Sequence, residues 1–118
     1  MSRDIPESDW RAFRKVRELA LERFCQRILG EIGSIAAKSD ITYHARYLEI
    51  FRLIDQRDDE LARAFNVPRR SSAVLQLVAM YSHGLLTQDE LLCLTPATRE
   101  TVESLSKPHP STRGRKRA

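Results

Sequence analysis

Apolar side chains recur at helical intervals from Trp10 onward. Trp10, Phe13, Leu21, Phe24, Ile28, Ile32 and Ile35 stand three or four residues apart, or at multiples near that phase. This spacing lines them along one face of an α-helix. Other faces carry charge, with Arg11 and Lys15 opposed by Glu18 and Glu22 at helical reach. The pattern predicts a first helix over about residues 9–37, capped by Ser8 or Asp9. Gly30 and Gly33 interrupt it, and each costs about 1 kcal/mol relative to Ala in a helix interior. Their spacing suits a bend, or the close approach of a second helix.

A second row follows the break at KSDIT: Tyr43, Tyr47, Phe51, Ile54, Leu61 and Phe65. It predicts a helix over about 42–65, with Asp40 or Thr42 as its cap. The row is broken at Arg57 and Asp58, as expected for a polar patch at an interface or for a turn beyond the partner helix. Pro68 ends this helix, because it lacks an N–H and keeps Val67 out of helical geometry.

Ser71 or Ser72 then caps a short third helix in AVLQLVAMY, which is apolar nearly all round. Gly84 stops it in a left-handed conformation. Thr87 and Glu90 match a capping box for a helix over about 88–94. Thr95-Pro96 starts the last helix, with Thr95 as its cap, Pro at the first helical position and Val102 and Leu105 on its apolar side. The expected fold class is therefore all-α, a compact helical bundle with two long amphipathic helices followed by three short ones. It forms one domain over 9–106, after a flexible N-terminus at 1–8.

LQLVAMYSHGLLTQDELLCL, about residues 75–94, resembles the short C-terminal helical module called SHOCT. The matching features are Leu77, Gly84, Leu85-Leu86-Thr87 and Glu90-Leu91, while Thr95-Pro96 cuts the second helix shorter than that family's pattern. The resemblance implies an interaction or oligomerisation module rather than a chemistry.

Composition supports a folded domain, with 42% hydrophobic and 31% charged residues in 118. The net charge of +4 is not spread evenly. Lys107, Arg113, Arg115, Lys116 and Arg117 lie in the last twelve residues, KPHPSTRGRKRA, which hold no acid. The remaining 15 basic residues face all 16 acidic ones. A nearly neutral body thus carries a basic tail at 107–118. Pro108, Pro110 and Gly114 predict disorder for it, and its cations are the nucleic-acid-binding candidates.

Cys25 and Cys93 lie in apolar stretches without ligand-like spacing, so two buried free thiols are expected. No stretch approaches 18 apolar residues and MSRDIPESDW lacks an apolar signal region, which points to the cytoplasm.

Candidate chemistry is sparse. Asp55, Asp58, Asp59 and Glu60 share helix 2, but no Glu-x-x-His pair or calcium-loop pattern accompanies them. A solvated, salt-bridged face is the better reading, with no metal and no cofactor. His44 and His83 sit at helix ends and His109 in the tail, so no cluster follows. PRRSS places two guanidinium groups beside a helix start, a possible anion cradle. A DNA-reading helix-turn-helix is disfavoured, because LTQDELLCL offers acids and no Lys or Arg.

The interaction candidates are Trp10, Phe13, Phe24, Tyr47, Phe51, Arg69 and Arg70. The long helices need more apolar cover than three short helices supply. The reading is a non-enzymatic protein-interaction or self-association module, with a homodimer as the leading partnership. Nonspecific nucleic-acid contact by the tail is the alternative, and a membrane partner is not expected.

Overall fold

The computed structural model describes residues 5–106. The basic tail, with Lys107, Arg113, Arg115, Lys116 and Arg117, lies outside the described residues, as does His109. The described chain forms five α-helices and no strand: α1 Glu7–Ala36, α2 Tyr43–Ala64, α3 Ala73–Ser82, α4 Gln88–Leu92 and α5 Pro96–Leu105. A single 3-10 turn, Arg70–Ser72, leads into α3.

The two long helices pair as an antiparallel hairpin, and the three short ones gather at one end of it. Core residues come from the first two-thirds of α1 (Phe13, Val16, Ala20, Phe24), the end of α2 (Ala64, Phe65), α3 (Ala73, Leu77, Met80) and the segments after it (Leu85, Leu91, Leu94, Val102). No residue between 25 and 63 is buried. The far part of the hairpin therefore extends past the core, and the molecule measures 56 × 34 × 21 Å. The cause is length: a 30-residue helix spans about 45 Å, whereas α3 and α5 have ten residues each and α4 has five.

Several helix ends follow the expected chemistry. Thr42 caps α2 by accepting the Ala45 N–H at 3.0 Å. The capping box of α4 is complete: the Glu90 N–H donates to Thr87 Oγ1 at 3.1 Å and the Thr87 N–H donates to Glu90 Oε1 at 2.9 Å. Gly84 adopts a φ of 71°, and Pro96 opens α5, although the Thr95 side chain does not cap that helix and its hydroxyl donates to Asp9 instead.

Other ends differ. Helix α1 begins at Glu7 after Pro6, and neither Ser8 nor Asp9 caps it. Ile5, placed by the sequence reading in a loose N-terminus, is buried in the core. Ser72 precedes α3 without a side-chain cap; its hydroxyl donates instead to the Arg69 carbonyl at 3.3 Å. Apart from their own helix backbone, Gly30 and Gly33 have no atom of the described residues within 4 Å of where a Cβ would stand, so neither serves the close approach of a second helix there. Cys25 is half-buried and Cys93 exposed, both as free thiols. Cys93 is the residue that ends α4.

Arginines satisfy carbonyls at three helix C-termini, where the last turn leaves acceptors without intrahelical partners. Arg46 donates to the Ala36 carbonyl ending α1 at 2.8 Å. Arg17 donates to the carbonyls of Phe65 and Asn66 ending α2, at 3.0 and 3.3 Å. Arg27 holds those of His83 and Gly84 after α3, both at 2.7 Å. Arg23 adds the Leu85 carbonyl at 2.8 Å and pairs with both oxygens of Glu90 at 2.7 Å. Four of the body's arginines thus donate to its own backbone.

Candidate interaction surface on the second helix

Helix α2 turns one face toward α1 and another to solvent. Along the inner side, Arg57 binds Glu31 of α1 at 3.1 Å and Glu60 of its own helix at 3.0 Å. Lys38 meets Glu49 at 3.0 Å. The break in the apolar row at Arg57 is therefore a polar patch inside the hairpin. These pairs, with Arg46 on the Ala36 carbonyl, fix the rotation of α2 about its axis. Leu61, Ala64 and Phe65 reach the core; the earlier members of the row do not.

Tyr43, Tyr47, Phe51 and Ile54 are left outside, 84, 64, 60 and 42% exposed. At 3.6 residues per turn they fall within an arc of about 80°. They form a continuous apolar strip along three turns of a helix whose other flank is occupied. Two contacts order it. The Arg46 guanidinium lies over the Tyr43 ring, 4.4 Å from its centroid. The His44 and Tyr47 rings stack at 6.5 Å and 15°. Single exposed hydrophobic residues are ordinary on a protein surface, whereas a contiguous patch marks an interaction site.

The sequence-derived interaction candidates divide. Tyr47 and Phe51 stand at the centre of the strip. Phe13 and Phe24 are buried in the chain's own core, with Phe24 against Phe65 and His83 at 5.9 and 6.1 Å, so they offer no docking surface. Trp10 is half-buried, stacked on Phe13 at 5.5 Å and flanked by the guanidinium groups of Arg14 and Arg70 at 5.9 and 5.4 Å. Arg70 also pairs with Glu7. That pairing, with the Ser72 hydroxyl turned to the Arg69 carbonyl, leaves PRRSS unlike the anion cradle considered from the sequence. Arg69 is exposed on the loop before the 3-10 turn.

Sequence reasoning did not single out Tyr43 and Ile54, although both belong to the apolar row. The signal that separates them from Leu61 and Phe65 is positional: they precede the point at which α2 meets the short helices.

Other chemistry is thin. Among the described residues no group of three or more His, Cys, Asp or Glu side chains is placed to hold a metal ion. Asp55, Asp58 and Asp59 are exposed along α2. A shallow basic dent on α1 is lined by Arg11, Arg14, Lys15 and Glu18. Glu90 has its carboxyl held below the ordinary range, chiefly by the Arg23 guanidinium and further by the Thr87 N–H, against the opposing effect of burial. Among the described residues no helix is long and apolar enough to cross a membrane.

No protein-family model matches the chain, and searches of curated proteins and of solved structures find no match either.

Proposed function

We propose that the chain is a non-enzymatic helical interaction module that docks a protein partner on the outer face of α2. The strip of Tyr43, Tyr47, Phe51 and Ile54 carries this reading. Four large side chains exposed in one line cost solvation that folding of this chain does not recover, and association recovers it. The Arg57–Glu31 pair between α1 and α2, with Lys38 on Glu49 and Arg46 on the Ala36 carbonyl, supports it as well, because a helix fixed in rotation presents a preorganised face and loses little entropy on binding. The helix–Gly84–capped-helix unit at 75–94, which resembles SHOCT, agrees with an interaction role.

The test is capture from native extract with full-length wild type and with Phe51→Glu as baits. Proteins held by wild type and lost with the variant support the reading. Identical sets from both baits overturn it.

A second reading rests on charge segregation: the five cations of the tail follow a body in which acids slightly outnumber bases. In this reading the tail holds nucleic acid by its phosphates. Binding to a nonspecific duplex then weakens steeply with salt and disappears on deletion of 107–118. Unchanged binding after the deletion excludes it.

A further inference from the structure

We infer that the partner covering the outer face of α2 is a second copy of this chain, packed antiparallel about a twofold axis near positions 49 and 50. The inference rests on the reading of that face as a docking surface and names its occupant.

The residues of this sequence on either side of 5–106 lack the chemistry to cover the strip. Residues 1–4 and 107–118 contain Met1, Ala118 and two prolines as their only apolar residues, and no aromatic one. Four exposed aromatic and aliphatic side chains call for an apolar occupant, which those residues do not supply.

The strip is suited to pairing with itself. Tyr47 and Phe51 lie one turn apart at its middle, with Tyr43 and Ile54 beyond them. An antiparallel copy sets Tyr47 of one protomer against Phe51 of its partner, and the same contact repeats across the axis. Charge selects this direction. The beginning of α2 has no acidic residue in its first turn, exposes the His44 imidazole as a hydrogen-bonding group, and presents the positive end of the helix dipole. The later half carries exposed Asp55, Asp58 and Asp59. Antiparallel packing sets Asp55 beside the partner's His44 and aims Asp58 at the start of the partner's α2. Parallel packing lays three carboxylates against three.

Size sets the strength. The strip offers on the order of 400 Å² of apolar surface per protomer. Polar residues on its flanks must supply the rest of a standard interface of about 800 Å² per partner. The association is therefore expected at the weak end for specific dimers, with Kd on the order of micromolar.

Sedimentation equilibrium of the full chain from submicromolar to about 100-fold higher concentration tests this. Wild type is expected to rise from 13.6 kDa toward twice that mass. Phe51→Glu is expected to remain at 13.6 kDa with an unchanged far-ultraviolet circular dichroism spectrum. Asp55→Lys and His44→Glu are each expected to weaken association about fivefold, since each change occurs twice across the axis. The double variant restores it to within about twofold of wild type. A wild-type mass that stays at 13.6 kDa overturns the inference. So does a double variant no better than the singles. If proteins of other mass are captured through Phe51 while the chain remains monomeric, the docking surface stands and the second copy does not. If nothing is captured and the chain remains monomeric, both fail.

Discussion

Asp9 and Thr95 lie 86 positions apart and share two hydrogen bonds: the Thr95 N–H donates to Asp9 Oδ1 at 2.8 Å and the Thr95 hydroxyl donates to Oδ2 at 2.7 Å. The Thr98 hydroxyl adds a third, to Oδ2, at 2.5 Å. Asp9 is fully buried. Its carboxylate caps the start of α5 from the first turn of α1, tying the two ends of the domain together.

Removing this carboxylate is expected to be costly, because a buried donor set loses its charged acceptor. Asp9→Ala should lower unfolding free energy by about 3 kcal/mol, and Thr98→Ala by about 1 kcal/mol. Urea unfolding followed by circular dichroism measures both. An Asp9→Ala protein as stable as wild type contradicts the role.

The Arg23–Glu90 pair gives a dependence on pH. Glu90 is held below its unfolded value, so its contribution is fully present above about pH 4.5 and is lost as pH falls through the lower folded value. Glu90→Gln should flatten the acid limb of the stability curve below about pH 4.5, while Glu90→Ala should cost about 1–2 kcal/mol at neutral pH by removing both the capping box and the Arg23 partner. An acid limb identical in wild type and Glu90→Gln excludes this origin.

Two glycines should respond with opposite signs. Gly84 has a φ of 71°, and Gly84→Ala is expected to destabilise by about 1–2 kcal/mol. Gly33 lies inside α1 with open space around it, and Gly33→Ala is expected to stabilise by about 0.5–1 kcal/mol. Thermal unfolding of the two variants decides. A stabilising Gly84→Ala contradicts the helix stop, and a destabilising Gly33→Ala points to a neighbour at that position.

The two thiols should differ in access. Cys93 is exposed and Cys25 half-buried, so a thiol reagent in native buffer should modify Cys93 first. Peptide mapping after partial labelling reads the order, and preferential modification of Cys25 contradicts it.

Local signals were legible in the sequence and distant partners were not. Thr87 with Glu90, Gly84 and Pro96 act within a few residues, so residue type and spacing were enough to place them. Asp9 was expected to cap its own helix, but its partners lie at the other end of the chain. The roles of Arg17, Arg23, Arg27 and Arg46 carry no signal in the sequence, because a carbonyl acceptor has no residue identity to recognise. The apolar rows gave two long helices. Which members of the second row reach the core depended on where the short helices gather, and this separates Leu61 and Phe65 from Tyr43, Tyr47, Phe51 and Ile54.

Photo-crosslinking in native cells tests most directly whether a partner covers that strip. A benzophenone side chain is placed at Phe51 in one version of the full chain and in the other at Gln56, exposed on the opposite side of α2. The expected result is an adduct from position 51 at twice 13.6 kDa, with little from position 56. Equal yields at both positions, or no adduct at either, contradict a docking surface on this face.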